Sequence, residues 1–544
     1  MIVNAYSRAK SINACMPPYA FYNGCINQGK NAMEIELKLL LAQDDAPLFA
    51  EHPLLAACSS APPQLQALHD IYVDTPDLHL ARHRAGLRVR QVGSDWLQTL
   101  KAGGDTSGGL HRRHEWEGPV AGPVPEIDAL LVLVKRREPV RALLRQNEVS
   151  GALQTIFTTR IARAVWQLTT PEGDAIECVL DQGVIEANGA STPVCEVELE
   201  LKAGRSASLF DVALALQQQV PLRLGQINKA ERGYRLAFPA LAGAPRPEKA
   251  AALTLDEAMS LEQAFVQIAG NCLQQISANA DGVVDHAEEE SLHQMRVGVR
   301  RLRSALGMFA PLLALPDELQ RELSWLSDAL GAARDWDVLA GATLEQIKGE
   351  VEADMLAPLV TAAQERARQA HADTGAALAG ARYTALMLGL QRWLHARAWR
   401  SACTRRQLRR LDKAAPGFAR RTLGKSQRRL LRRGKGLDQA APEQRHRVRI
   451  AAKKARYATT FFGSLLRPRR VRAYERDLGR LQDVLGGLND LEVADGLLQT
   501  LAGGEPALAP QAGYVRGYLA ARAQAGAARI DKAWRRINGA RLPY

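Results

Sequence analysis

No stretch of this 544-residue sequence approaches the ~20 consecutive apolar residues of a membrane-spanning helix, so the chain is expected to be soluble. Cysteine is scarce and scattered: Cys15, Cys25, Cys58, Cys178, Cys195, Cys272 and Cys403 form no CxxC or Cys/His spacing. That argues against a zinc site or a disulfide framework and suits a reducing cytoplasm. GxxxxGK[ST], GxSxG, HExxH and the protein-kinase signatures are all missing, which disfavours a Walker-type nucleotide fold and the common hydrolase and kinase sites. Residues 1–32 have no apolar h-region and are Asn/Gly/Ser-rich without pattern. Met33 stands directly before the first patterned strand, so these residues are read as a disordered tail or a misassigned start.

What is present is divided unevenly. Residues 1–244 carry 24 Lys/Arg and 26 Asp/Glu, whereas residues 245–544 carry 47 and 32. The net charge of +13 therefore resides in the second half, and such asymmetry points to a polyanionic partner there. Residues 33–237 read as strands with a few short helices; 238–252 form a Pro/Ala-rich linker; 253–540 are Leu/Ala/Arg-rich with helical periodicity.

In the first half, charged and apolar residues alternate. Glu34, Glu36 and Lys38 interleave with Ile35, Leu37 and Leu39; Glu196, Glu198, Glu200 and Lys202 interleave with Val197, Leu199 and Leu201. Arg88/Arg90, Arg113/Glu115/Glu117 and Glu177/Asp181 repeat the pattern. Residues two apart share a strand face, so each segment has one charged and one apolar face. Ordinarily this means a sheet with one wet side. Here the polar faces hold almost only carboxylates and cations, and both signs recur strand after strand. A closed barrel with a charged lumen and an apolar exterior explains that better, and such a lumen is costly unless metal and polyanion neutralise it. Hard divalent cations take carboxylate and phosphate oxygens, and Lys and Arg clamp the remaining phosphate charge. Phosphoryl transfer needs mainly positioning and charge stabilisation, which this set of residues offers.

Glu34-Ile-Glu36-Leu-Lys38 resembles the ExExK signature of CYTH domains, the triphosphate tunnel metalloenzymes. Supporting motifs follow in the family's order: Tyr72-Val-Asp74-Thr75-Pro76, Leu87-Arg88-Val-Arg90, Trp96 to Lys101, Arg113 to Glu117, Phe157 to Trp166, Leu180-Asp181-Gln-Gly183, Glu196 to Glu200 and Asn228 to Tyr234. The resemblance implies an eight-stranded antiparallel β-barrel tunnel (α+β) that binds triphosphate with Mg²⁺ or Mn²⁺. It implies metal ligation by Glu34, Glu36, Asp181, Glu196, Glu198 and Glu200, with Glu34, Glu36 and Lys101 catalytic. It further implies phosphate contacts from Lys38, Arg88, Arg90, Lys101, Arg113, Arg163, Lys229 and Arg232. Lys101 is open to two roles, general base or phosphate ligand; Arg113 with Glu115 and Glu117 is either a ligand set or an ion-pair network. Tyr234 is read as packing. Family members hydrolyse inorganic triphosphate, thiamine triphosphate or RNA 5′-triphosphate ends, or make cyclic AMP; the first is favoured.

The helical half is internally duplicated. His293, Arg296, Arg300, Arg301 and Arg303 are answered by His446, Arg449, Lys453, Lys454 and Arg456, each a His followed by cations at +3, +7, +8 and +10. The companion segments Leu326 to Asp337 and Leu481 to Glu492 also match. Positions 0, +3, +7 and +10 share one helix face, where stacked like charges repel unless an anion bridges them. This resembles the CHAD domain, an all-α domain associated with inorganic polyphosphate. The resemblance implies polyphosphate contacts from His293, Arg296, Arg300, Arg303, His446, Arg449, Lys453 and Arg456. Arg405 to Lys435 add charge beside the second repeat, with too few aromatics for base stacking, so nucleic acid is disfavoured. The expectation is a cytoplasmic metal-dependent inorganic triphosphatase whose helical domain binds polyphosphate, with association to polyphosphate granules as a further expectation. The alternatives are a non-catalytic polyphosphate binder and a phosphatase for another triphosphate.

Overall fold

The computed structural model describes residues 32–145, 149, 151–242, 246–348, 353–437 and 440–544. The segment read as a tail or misassigned start thus lies, but for its last residue, outside the described residues.

The alternating segments become strands: β1 Ala32–Leu40, β2 Gln64–Asp74, β3 Ala85–Val92, β4 Asp95–Ser107, β5 Leu110–Val120, β6 Gln154–Thr169, β7 Ala175–Ala187, β8 Ala190–Ala203 and the short β9 Arg223–Leu224. All pairings are antiparallel, in the order β5-β4-β3-β2-β6-β7-β8-β1. The sheet closes because β1 also pairs with β5, from Ala32↔Glu115 to Leu37↔Leu110, giving an eight-stranded barrel with β9 attached to β1. Tight hairpins set the register. Asn188 and Gly189 both have positive φ between β7 and β8, as do Gly108 and Gly109 between β4 and β5. Two-residue turns of that hand match the twist of paired strands.

The apolar faces point outward and are covered. Leu37, Leu39, Cys178, Val197 and Leu199 pack under helix α1 (Ala207–Gln217), through Leu209, Phe210, Ala213 and Leu216. On the other side Leu87, Leu100 and Trp116 pack against Leu130, Leu143 and Leu144. Helix α2 (Lys229–Ala237), capped by the Asn228 side chain, runs against the Phe157 ring, which stacks on Tyr72. Tyr234 donates a 2.9 Å hydrogen bond to Asp74, a buried carboxylate that also accepts from the backbone of Thr75, Leu80 and Ala81. Tyr234 is therefore packing, as the sequence suggested.

The second half contains α3 (Leu261–Ser277), α4 (Glu289–Phe309), α5 (Asp317–Asp337), α6 (Ala353–Ala379), α7 (Ala381–His395), α8 (Ala415–Arg433), α9 (Pro442–Phe462), α10 (Pro468–Gly504) and α11 (Ala509–Asn538), with shorter turns between. The duplication is spatial as well as sequential. Leu261 N–H bonds to the Lys413 carbonyl at 2.8 Å and Ala415 N–H to the Met259 carbonyl at 3.0 Å, so α3 and α8 begin back to back as counterparts. Helices α4 and α9, which carry the two His motifs, then pack on each other.

Barrel and helices share one continuous core through α1 and α7, reinforced by an Asp211–Arg392 ion pair and by Gln217 Nε2 bonding to the Ala381 carbonyl at 2.8 Å. The 238–252 segment is not free of structure: Glu248 and Asn279 exchange two hydrogen bonds of 2.9 Å. Among the described residues no helix is long and apolar enough to cross a membrane.

Candidate functional site

The barrel lumen belongs to a cavity of about 2080 Å³ whose lining continues past the barrel to Glu248, Gln274, Asp281 and Asp285. Because inward positions alternate along every strand, the ladder itself dictates which charges meet. Glu36 on β1 stands opposite Glu200 on β8, which stands opposite Glu177 on β7. One step along the barrel, Lys38 stands opposite Glu198, and beyond that Glu196 faces Asp181, itself paired with Arg163. Arg88, Arg90 and Lys101 enter the lumen from β3 and β4, and Arg113 from β5, where it stands opposite Glu34 in the closing ladder.

The carboxylates fall into two sets. Asp181, Glu196 and Glu198 bring ligand oxygens within 4.8 Å of one another, a spacing able to hold a metal ion. Cations of the chain already clasp this set. Lys38 Nζ lies 2.7 Å from Glu196 and also contacts Glu198; Lys229 Nζ lies 2.8 Å from Asp181, 2.7 Å from Glu198 and also contacts Glu196. Arg163 forks onto Asp181 at 2.7 and 2.6 Å. Burial works against the Glu198 carboxylate, but Lys229, Lys38 and Arg163 outweigh it and hold its pKa well below the usual range.

The second set, Glu34, Glu36 and Glu200, faces the open cavity. Glu34 pairs with Lys101 at 2.8 Å, and Glu36 lies 3.4 Å from Lys38. Burial, helped by the Glu34 and Glu177 carboxylates, pushes Glu200 up to about 7 despite its 2.7 Å contact with Lys202. Burial is the main cause of that shift, so it marks a desolvated carboxyl more than a surplus of charge. A set of all-oxygen donors fits a hard divalent cation such as Mg²⁺ or Mn²⁺.

Among the cations, Arg90 forks onto Asp70 at 2.6 and 2.9 Å, and Arg88 lies 3.6 Å from the same carboxylate. Asp70 was not singled out from sequence. Its signal was there: it shares the inward parity of Tyr72 and pairs in register with Arg90. His111 was missed too. It lies beside Glu36, and burial, then Lys38 and Arg113, lower its pKa to about 4, so it meets the lumen as a neutral ring. Arg113 has no carboxylate partner among the described residues: Glu115 pairs with Lys101 at 3.5 Å and Glu117 accepts from Thr99 at 2.9 Å. The proposed Arg113 ion-pair network is therefore not formed.

Two expectations need correction. A Lys101 general base requires a lowered pKa; although burial acts in that direction, Glu115 and Glu34 outweigh it and the pKa is raised. Arg232 does not line the lumen. One turn along α2 from Lys229, it braces Glu196 at 3.4 Å from outside and binds the Pro193 carbonyl.

In the helical domain Arg296 and Arg300 of α4 face Arg449 and Lys453 of α9 closely enough that each disfavours its neighbours' charge. Burial, then the arginines around it, bring Lys453 down to about 7; Arg300 and Arg449 are lowered by burial and nearby cations. The Nε atoms of Arg300 and Arg449 are buried with no hydrogen-bond partner. Carboxylates only partly offset this cleft: Arg296 pairs with Asp335 at 2.9 Å and Arg449 lies 3.8 Å from Asp490. The rim is made of equivalent contacts, Arg303 to Ser327 and Arg456 to Gln482, both 3.1 Å. Of the two histidines, His446 is exposed and 3.2 Å from Asn489, while half-buried His293 has its pKa lowered by burial and Arg334.

A closed antiparallel barrel whose lumen pairs carboxylates with cations, followed by a duplicated helical domain with a basic cleft, defines a tunnel protein with an appended helical module. Residues 32–234 match the CYTH domain and residues 267–499 match the CHAD domain, so the chain carries a CYTH domain followed by a CHAD domain. Over 208 residues it is 33% identical to the inorganic triphosphatase of Haemophilus influenzae (strain ATCC 51907 / DSM 11121 / KW20 / Rd), covering 37% of this chain and 54% of that protein. The chain thus spans about half the length of this curated relative. The crystal structure of the CHAD domain from the plant Ricinus communis superposes with a TM-score of 0.51 at 39% identity, covering 55% of this chain and 99% of that one.

Proposed function

We propose that the barrel hydrolyses inorganic triphosphate with Mg²⁺ or Mn²⁺, and that the helical domain binds inorganic polyphosphate. The observation that carries the first part is the composition of the lumen: Glu34, Glu36 and Glu200 on β1 and β8 share one cavity with Arg88, Arg90, Lys101 and Arg113 on β3, β4 and β5. Glu34, Glu36 and Glu200, with Glu198 adjoining, would hold the metal, which supplies charge neutralisation and activates water for attack on phosphorus. Asp181 and Glu196 act at one remove, fixing Lys38, Lys229 and Arg163. The lumen arginines and Lys101 bind and orient phosphate oxygens; Lys101 does so as a permanent cation. Haemophilus inorganic triphosphatase supports this substrate, and a cytoplasmic, polyphosphate-associated setting accords with it.

The extension of the cavity beyond the barrel to the helical domain supports a second reading, in which the triphosphate carries a larger group, such as thiamine, a nucleoside or an RNA 5′ end. Phosphate release should be measured from tripolyphosphate, longer polyphosphate, ATP and thiamine triphosphate, with Mg²⁺, Mn²⁺ or chelator. Metal-dependent release fastest from tripolyphosphate, and lost in Glu34→Gln/Glu36→Gln, is expected. Release indifferent to metal or to that variant would defeat the enzymatic reading.

A further inference from the structure

The two halves of the helical domain are not equivalent on their outer faces. In the first, α3 carries no Lys or Arg, and its C-terminal end meets the barrel, where Ser277 Oγ accepts from Gly108 N–H at 3.2 Å. Among the described residues its counterpart α8 packs chiefly on α9 and α3. Arg421, Lys425, Arg428 and Arg432, spaced four, three and four residues apart, lie on one exposed face of α8. The stripe spans roughly 16 Å at ~1.5 Å per residue. None of the four has a carboxylate partner among the described residues, and α8 contains no Asp or Glu. A solvated helix face usually interleaves opposite charges at such spacings, because like charges there cost a few tenths of a kcal/mol per pair.

A neighbouring row of α8, Arg429 and Arg433, lies between the stripe and α9: Arg433 donates to the Arg447 carbonyl at 3.2 Å, and exposed Lys454 has its pKa lowered by burial and by Arg429 and Arg433. Lys454 adjoins Lys453 of the cleft, so the two basic surfaces meet across one helix. Its counterpart in the first repeat, Arg301, has been absorbed into the core, bonded to Gln275 at 2.8 Å and Asn271 at 2.6 Å. Only the second repeat turns this cation outward.

We propose that Arg421, Lys425, Arg428 and Arg432, joined to the cleft through Lys454, form a second anion-binding track that engages condensed phosphate chains long enough to leave the cleft. The protein thereby holds long polyphosphate more tightly than short. This rests on the reading of the cleft as a polyphosphate site. Condensed phosphate is favoured over nucleic acid because the four stripe positions offer cations alone, and exposed Tyr544, whose hydroxyl lies beside Gly424 of α8, is a single ring, too few for successive bases to stack on. A chain spanning both surfaces gains from the high effective concentration of its second segment.

The test is binding by the full chain, in chelator and at physiological salt, of roughly ten-phosphate and roughly hundred-phosphate polyphosphate, with RNA of matched phosphate content as competitor. For R421Q/K425Q/R428Q/R432Q, long-chain affinity should fall about 10- to 100-fold with a shallower salt dependence, and short-chain affinity should be unchanged. These exposed substitutions by a good helix former leave folding intact, which circular dichroism would verify. Unchanged long-chain affinity, an equal loss for both lengths, or RNA displacing polyphosphate from the stripe would each overturn the track. If the wild-type chain fails to bind the short polymer, the cleft reading itself falls and takes the track with it.

Discussion

On the proposal that the cleft binds polyphosphate, Lys453 should make its affinity fall as pH rises. In the free protein its ammonium is held at about 7, first by burial and then by Arg449 and Arg300. A phosphate chain between α4 and α9 favours the charged form, so binding takes up a proton whenever Lys453 is neutral beforehand. Below pH 7 the group is already charged and affinity is flat. Above it, affinity drops by up to tenfold per pH unit, about 50-fold or ~2.3 kcal/mol between pH 7 and 9. The surrounding arginines stay charged throughout this window, and His293, held below its ordinary value, contributes nothing above pH 7. Linkage to folding has the opposite sign. A lysine whose folded pKa is depressed destabilises the native state fully below pH 7, and that penalty is relieved as pH climbs toward the unfolded value of ~10.4. Lys453 therefore makes the free protein firmer over the window in which it makes the complex weaker. Isothermal titration with long-chain polyphosphate, in buffers of differing ionisation heat, should record uptake of about 0.9 proton per cleft at pH 8. Lys453→Arg, charged at every pH, should abolish both uptake and slope. A flat wild-type profile, or an Arg variant as steep as wild type, would refute the reasoning.

Three further outcomes follow from contacts in the barrel. Lys38→Met removes a buried cation from Glu196 and Glu198 and should cost about 3 kcal/mol, lowering the melting temperature by several degrees; an unchanged melt would show that Lys229 alone balances both carboxylates. Gly233→Ala would place a methyl 2.2 Å from the Phe157 ring and should destabilise by about 1–3 kcal/mol, with partial recovery when Phe157→Leu is added; additive losses would deny the contact. Because Lys101 stays charged to high pH, the rate of triphosphate hydrolysis should show no basic limb that disappears in Lys101→Arg; a limb that does so would restore Lys101 as a base.

Much of the barrel was legible because its chemistry is periodic. Glu34, Glu36 and Lys38 had to share a face with one another, and the recurrence of both signs on later strands required those faces to converge. What alternation does not encode is closure. The β1–β5 ladder, which sets Glu34 opposite Arg113 and Glu36 opposite His111, joins segments some 75 residues apart. Asp70 escaped for a related reason: within His69-Asp70-Ile71 a single acid beside apolar residues reads as a strand end, and only its pairing with Arg90 exposes it as an inward group. Arg232 was misplaced because Lys229 and Arg232 share a helix face by spacing. Lys229 sits at the first turn and enters the barrel, whereas Arg232 meets the outer oxygen of Glu196.

The helical domain shows how a duplication conceals as well as reveals. Equal spacing from His293 and His446 suggested two equal basic faces, yet spacing cannot say that α4 and α9 pack together and pool their cations in one cleft. Nor can it say that the cation at +8 has opposite fates. Arg301 can be buried because Gln275 and Asn271 bond its guanidinium and the Phe461 ring lies 5.5 Å beneath it. At Lys454 no such amides exist: the corresponding stretch of α8 offers Arg429 and Arg433 instead. A cation facing cations must remain in solvent or meet an anion. The departure from symmetry, more than the symmetry, thus marks where the second repeat acquired a surface that the first lacks.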